Sequence, residues 1–204
     1  MGTPNLTLVG HLWPTSTMNW TRAVLLAVLG SAIVALAAQV SIPMLPVPMT
    51  LQTLAVLAVG GAYGARLGAG TLALYALEGA VGLPVFANFQ AGLFLPTGEI
   101  IATGGYIIGF IIAAGLVGYF VEKGWGASVL KLCAAMLLGA AVLYIPGLLW
   151  LTGWLAVMKG MDVASAMTVA LISGLLPFIP GDIIKAVLAA LAFPAAFSLL
   201  GRKP

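Results

Sequence analysis

Continuous apolar runs dominate this sequence, and residues 132–158 contain no charged side chain. A run of about 20 apolar residues is long enough to cross the hydrocarbon core of a bilayer as a helix. These runs lack the two-residue alternation of an outer-membrane barrel. Only 6% of the 204 residues are charged, whereas a soluble domain carries about 25%. The sequence therefore predicts an all-α integral membrane protein, with room for about five to seven helices.

Breaks rich in proline and glycine divide the chain into a six-transmembrane-helix bundle with short or broken helices. We expect an N-terminal tail at residues 1–20, a single membrane domain at 21–200 and a C-terminal tail at 201–204. Proline lacks a backbone N–H, so Pro146 predicts an interruption. The predicted helices are residues 22–38, 50–61, 67–81, 103–120, 127–144, 163–173 and 182–200, with residues 148–158 continuing near the interface.

Basic residues predict the orientation of this bundle, because cytoplasmic loops carry an excess of lysine and arginine. With the N-terminus inside, Lys159 falls outside, and both termini are cytoplasmic. The connections 41–50, 82–103 and 159–182 then meet on the outer face, where extracytoplasmic loops would close a pocket. The basic residues on the cytoplasmic side are Arg22, Arg66, Lys123, Lys131, Arg202 and Lys203.

Asp182 and Lys185 are the residues that are hardest to place in a membrane. An ionisable side chain at the bilayer centre costs at least about 2.5 kcal/mol, so such residues usually face a protein interior and carry function. Residues three apart share one helix face, so both side chains project in the same direction. Two interpretations stay open from the residues alone. Asp182 caps the last helix with Lys185 as its counter-ion, or the pair forms the floor of the outward-facing pocket.

A stripe of small residues recurs every fourth position in the first predicted helix. Small side chains let another helix approach closely in a membrane. The stripe therefore indicates either packing within the bundle or a docking face for a partner protein. Its members are Ala23, Ala27, Ser31 and Ala35.

Four motifs follow one another along the chain. They are PVPMTLQT at residues 46–53, GLPVF at 82–86, TGGYIIGF at 103–110 and PFIPGDIIK at 177–185. Through these four motifs, residues 20–200 resemble the BioY family. Its members are biotin-binding substrate components of energy-coupling-factor (ECF) transporters.

The resemblance implies a six-helix protein of the bacterial cytoplasmic membrane that captures biotin from the outer side. It also implies docking, through the small-residue stripe, on a transmembrane coupling subunit driven by a pair of ATPases. The sequence has no Walker A motif of its own, so ATP hydrolysis would belong to the partners. We expect no cofactor and no nucleic-acid partner. Action without the ATPase module, or as a homo-oligomer, stays open.

Biotin's ureido ring has two N–H donors and one carbonyl acceptor, and each needs a partner when buried. We expect Asp182 to accept the N–H groups, and Asn88 to serve the ring with both a donor and an acceptor. Lys185 would donate to the carbonyl while it stays paired to Asp182. Apolar parts of the ligand would contact Phe86, together with Leu83, Val47 and Trp154. Further polar candidates are Thr50, Gln52 and Tyr106.

The partner of the biotin carboxylate stays open at this point. Residues 82–106 contain no lysine or arginine, and Glu99 to Ala102 separate Pro96-Thr97-Gly98 from Thr103-Gly104-Gly105-Tyr106. The alternatives are the amides near Gly104 and Gly105, Lys185, or water.

Rival functions are another small vitamin as the substrate, or a membrane scaffold without a substrate. An enzyme is the least favoured, because the nucleophile and metal-ligand candidates are scattered. They are His11, Cys133, Glu78, Glu99 and Asp162.

Overall fold

The computed structural model describes residues 7–12, 19–92, 94 and 100–199, and these residues form a helical bundle. The C-terminal tail and Glu99 lie outside the described residues. Within the predicted N-terminal tail, a short helix buries Val9 and packs Leu8 against the core of the bundle. The elements are α1 Leu8–Leu12, α2 Trp20–Gln39, β1 Ser41–Ile42, β2 Met49–Thr50, α3 Gln52–Tyr63, α4 Ala65–Ala80, α5 Gly104–Glu122, α6 Val129–Lys159, α7 Val163–Gly174 and α8 Phe178–Leu199.

Helix α5 lies at the centre of the bundle and packs on α3, α4 and α6. Glycines allow this packing, as the sequence predicted for Gly105 and Gly109. A Cβ at Gly105 would overlap the carbonyl oxygen of Pro146, and a Cβ at Gly109 would crowd the backbone of Leu143. Only glycine at these two positions lets the α5 and α6 backbones approach so closely.

Three of the described helices, α2, α5 and α6, are long and apolar enough to cross a membrane. The α7–α8 pair passes the same test as one broken span, bent by 43°. Helices α3 and α4 contain 12 and 16 residues, which agrees with the expectation that both are short.

Two predicted helix boundaries are wrong, and both involve proline. Helix α6 continues without a break through Pro146 over 31 residues. Membrane helices tolerate proline where neighbouring groups satisfy the freed carbonyl. Helix α8 begins at Phe178, not at Asp182. Pro180 lies in its first turn, where the missing N–H would have no helical partner anyway. Asp182 is therefore not an N-cap.

Loops at one end of the bundle are held against the helices by side chains. Strands β1 and β2 pair antiparallel, with Ser41 opposite Thr50. The Nε1–H groups of Trp150 and Trp154 donate to the carbonyl oxygens of Ile101 and Ile100, at 2.8 and 2.6 Å. The irregular segment before α5 is thus fixed to α6 and walls the space above the helices.

Candidate ligand-binding site

A cavity that is partly open to the exterior lies between these loops and α3, α5, α6 and α8. Most of its wall is apolar or aromatic, which is typical of small-molecule sites. The lining residues are Val47, Pro48, Thr50, Gln52, Thr53, Phe86, Ala87, Thr103, Tyr106, Ile107, Phe110, Leu143, Tyr144, Phe178 and Lys185.

Asp182 and Lys185 form a buried ion pair at the base of this cavity, with 3.2 Å between Nζ and Oδ1. Thr53 joins them: its hydroxyl donates to Asp182 Oδ1 at 3.0 Å and accepts from Lys185 Nζ at 2.9 Å. The hydroxyl of Tyr144 donates to Asp182 Oδ2. Three helices, α3, α6 and α8, therefore meet at one carboxylate.

The two charges differ in their access to the cavity. Lys185 lines the cavity, whereas Asp182 is only 4% exposed and lies behind the lining side chains. An ammonium has three N–H donors, and two of those on Lys185 are used by Thr53 and Asp182. One donor thus remains for a ligand. The carboxylate of Asp182 chiefly orients Lys185, Thr53 and Tyr144.

A second polar group lines the cavity at the start of α3. Gln52 donates through Nε2 to the hydroxyl of Tyr75 at 2.6 Å, and Tyr75 donates to the carbonyl oxygen of Val85 at 3.0 Å. The hydroxyl of Thr50 donates to Gln52 Oε1 at 3.1 Å. The orientation of the Gln52 amide is therefore fixed before any ligand arrives.

Phe86 forms an apolar wall and is 2% exposed. Its ring contacts the Tyr75 ring edge to face, with centroids 5.6 Å apart. The ring lies directly over Gly79, where a Cβ would overlap it. Helix α4 thus needs a glycine at this position so that Phe86 can close the cavity.

Tyr106 and Gly105 are both predicted site residues, but only Tyr106 lines the cavity. Tyr106 lines the cavity, donates to the carbonyl oxygen of Gly174 at 2.8 Å, and meets the Tyr144 ring edge to face. Gly105 packs against Pro146 and Trp150 on α6 and is not among the described lining residues. Close packing of α5 on α6 therefore explains why a glycine is needed at position 105.

Asn88 lies in a second, wider pocket further out. It is exposed, has a left-handed backbone with φ 57°, and accepts a hydrogen bond from Ser41 Oγ at 3.1 Å. This outer pocket shares Pro48 and Thr103 with the inner cavity, so the two spaces adjoin. The outer pocket is lined by Pro43, Met44, Leu45, Pro46, Pro48, Asn88, Gln90, Ile101, Ala102, Thr103, Trp154, Leu155 and Lys159.

Sequence reasoning missed Thr53 and Tyr144 as members of the site. Thr53 ends the motif at residues 46–53 and follows Gln52 at the start of a helix, which is a usable signal. Tyr144 lies in a long apolar run with nothing in its neighbours to mark it. Its role depends on a contact across 38 residues, which no local pattern reveals.

Ser31, in the predicted docking stripe, is 1% exposed and donates to Glu78 on α4. Ala35 also packs against the core, while Ala23 and Ala27 are partly exposed. Ser31 and Ala35 thus serve packing within the bundle. Docking of a partner on the stripe stays a prediction.

Residues 9–202 match the BioY family model. This chain belongs to the BioY family. "Biotin transporter BioY" of Thermotoga maritima is 36% identical over 83% of this chain and 92% of its own length. "Biotin transporter BioY" of Rhizobium etli is also 36% identical, over 85% of this chain and 91% of its own.

A solved structure has the same fold. It is described as the S-component for biotin from an ECF-type ABC transporter, and it aligns with a TM-score of 0.69. The alignment covers 86% of this chain and 92% of that one, at 23% identity. At this identity the similarity shows that the two proteins share a fold.

Proposed function

We propose that this protein captures biotin at the outer side of the bacterial cytoplasmic membrane, as the substrate-binding component of an ECF-type transporter. It is a transport component and not an enzyme. The observation that carries the proposal is Lys185, which lines a mostly apolar cavity with one N–H donor unused by Thr53 and Asp182. Biotin is the proposed ligand because the chain belongs to a family whose relatives are named biotin transporters.

The ureido ring would lie at the base of the inner cavity. Lys185 donates to its carbonyl oxygen, and the oxygens of Thr50 and Gln52 accept its N–H groups. Asp182 holds Lys185 in place from behind the lining side chains. Such pairing is needed because an unmet buried polar group costs about 1 to 3 kcal/mol.

The other proposed site residues form the walls. Phe86 packs against the thiolane ring, and Tyr106 bounds the opposite side. Gly105 lets α5 approach α6 behind Tyr106. Asn88 reaches the ligand from the outer pocket, where its amide nitrogen is available while Oδ1 accepts from Ser41.

Six spans account for the helices: α2, α3, α4, α5, α6 and the bent α7–α8 pair. The short α3 and α4 are supported by their neighbours in the bundle. Arg66 in the first turn of α4 and Lys123 after α5 then lie in the cytoplasm, as do both termini. The loops that wall the cavity lie outside.

A transmembrane coupling subunit and an ATPase pair are the proposed partners, with a homo-oligomer as the alternative assembly. Ala23 and Ala27 on α2 are the accessible part of the proposed docking stripe. Exposed apolar side chains flank them, among them Leu25 and Val28. Lipid or a partner helix would cover this face.

Calorimetric titration of the detergent-purified protein with biotin, thiamine and riboflavin tests the proposed function. We expect one biotin per chain and no binding of the other two. Lys185→Met should weaken biotin binding at least about tenfold, the loss of one hydrogen bond to a charged group. Lys131→Met, an exposed lysine at the start of α6, is the matched control. Binding of another vitamin in place of biotin would refute the substrate, and binding of none would refute the function.

A further inference from the structure

A carboxylate on the ligand needs a positive partner that the inner cavity does not supply. Lys185 is the cation there, and its charge is already balanced by Asp182 at 3.2 Å. Residues 82–106, which supply Phe86, Ala87, Thr103 and Tyr106 to the lining of the inner cavity, contain no lysine or arginine. Among the described residues that line the two adjoining pockets, the second cation is Lys159, in the outer one.

Lys159 is the last residue of α6 and is exposed at the rim of the outer pocket. Side chains on a helix point back towards its N-terminus, which for Lys159 means back towards the pocket. The Lys159 side chain points this way in the structure, because its Nζ lies 5.1 Å from the ring centroid of Trp154, five residues earlier. The ammonium is therefore directed over the pocket mouth.

Trp154 gives this ammonium a fixed support. The indole Nε1–H is held by the carbonyl oxygen of Ile100 at 2.6 Å, and the ring also lines the outer pocket. A cation above an aromatic face keeps its N–H groups available for an anion, because the ring interacts through its quadrupole. Lys159 thus combines a defined position with donors that can bind a carboxylate.

The distance along α6 matches the length of the ligand. Tyr144, at the base of the cavity, and Trp154 are ten residues apart, which is about 15 Å of helix. Extended biotin spans on the order of 12 Å from its carbonyl oxygen to its carboxylate, by ordinary bond lengths. The difference of about 3 Å is the length of one hydrogen bond. A ureido ring bound at Lys185 therefore places the carboxylate near Lys159.

We infer that Lys159 binds the valerate carboxylate of biotin at the mouth of the outer pocket, and that it makes this protein selective for the free acid. The inference rests on the proposed function, because it assumes that biotin is the ligand. Lys159 then binds the carboxylate in place of the three alternatives that the sequence offers, which are the amides near Gly104 and Gly105, Lys185, and water.

The test compares biotin with its methyl ester, which lacks the negative charge, by calorimetric titration of the full chain. The wild-type protein should bind the ester about three- to thirtyfold more weakly, the range expected when a charge-assisted hydrogen bond is lost at a partly solvated site. Lys159→Met, which keeps an apolar stem, should weaken biotin binding by the same factor and leave the ester unchanged. Lys159→Arg should restore most of the difference.

Two further variants separate the possible explanations. Lys123→Met is the matched control, because Lys123 also lies over an aromatic ring, that of Tyr119 at 5.4 Å, but follows α5 away from the pockets. It should change neither ligand's affinity. Glu99, which precedes Ile100 in sequence, lies outside the described residues. Glu99→Gln removes a negative charge close in sequence to the outer pocket, and we expect equal or tighter biotin binding because the ligand carboxylate is no longer repelled by it.

The outcomes are distinguishable. Equal loss of both ligands in Lys159→Met, or no loss of either, would overturn the role of Lys159 while wild-type biotin binding keeps the proposed function. Weaker biotin binding in Glu99→Gln would show that the Glu99 carboxylate favours the bound ligand, and it would also overturn the inference. Wild-type protein that binds neither ligand would refute the proposed function itself.

Discussion

Tyr144 on α6 donates a hydrogen bond to Oδ2 of Asp182 on α8, and this bond joins two helices at the base of the cavity. The other carboxylate oxygen accepts from Thr53 on α3 and from Lys185. No buried side-chain nitrogen or oxygen among the described residues lacks a partner. The site is thus organised before the ligand enters, which lowers the ordering cost of binding.

Tyr144→Phe tests the importance of this bond for stability. The substitution keeps the ring and leaves Oδ2 without its donor, which costs about 1 to 3 kcal/mol for a buried group. We expect a lower thermal unfolding midpoint in detergent and several-fold weaker biotin binding. Tyr119→Phe is the control, because Tyr119 is 49% exposed on α5. An unchanged midpoint in Tyr144→Phe would show that water replaces the hydroxyl.

The Asp182–Lys185 pair should behave differently in stability and in binding. Removing one member of a buried pair is strongly destabilising, by about 3 to 5 kcal/mol, because the other charge is left uncompensated. Asp182→Ala and Lys185→Met should each show this loss, and the double variant should recover part of it. Biotin binding should fall about a hundredfold or more in Asp182→Ala, in the range for a truncated buried charge pair.

The double variant separates the two effects. It should not regain biotin binding, because the ammonium donor is gone. Recovery of binding in the double variant would mean that the pair supports folding alone. Thermal unfolding and calorimetric titration of the four proteins give the complete cycle.

Hydropathy is enough to predict the long helices of this protein, because lipid requires a continuous apolar, hydrogen-bonded segment. Residues 22–38 and 103–120 were expected to be helical, and α2 and α5 contain them almost completely. Proline misled the prediction at Pro146 and Pro180. The effect of a proline depends on its position within the helix turn and on neighbouring groups, which the local sequence does not contain.

The site was predictable only where its members are close in sequence. Asp182 and Lys185 are three residues apart, so their shared face could be read directly. The bond between Thr53 and Asp182 spans 129 residues, and that of Tyr144 spans 38. Such contacts depend on how helices pack, and one sequence does not specify that packing locally. The hydrogen bonds that Thr53 and Tyr144 donate to Asp182 were missed for the same reason.

Gly79→Ala tests the closure of the cavity by Phe86. The added Cβ would overlap the Phe86 ring, so the ring must move, at a cost of about 1 to 3 kcal/mol for overpacking. We expect a lower unfolding midpoint and weaker biotin binding. Gly70→Ala on the same helix is the matched control, since a Cβ there has no neighbour within 4 Å. That control should be neutral or slightly stabilising, because alanine favours a helix more than glycine does.

The last prediction concerns Gln39, which ends α2 and holds the loop that carries Phe86. Its Nε2 donates to the carbonyl oxygen of Phe86 at 3.1 Å, and its Oε1 accepts from the Phe89 N–H at 3.0 Å. Within this loop, Asn88 and Phe89 have left-handed backbones, with φ 57° and 56°. Such a conformation is unfavourable for residues other than glycine and persists only when surrounding groups hold it.

Gln39→Ala removes both bonds and should loosen this segment while the bundle stays folded. We expect faster hydrogen exchange at the Phe89 amide and faster dissociation of biotin, with a small change in the unfolding midpoint. Val81→Ala, an exposed residue at the start of the same loop, should exchange and release biotin like the wild type. If Gln39→Ala retained wild-type exchange at Phe89, the loop would be held by its own backbone bonds, of which Phe86 N–H to the Gln90 carbonyl oxygen at 3.0 Å is the closest candidate.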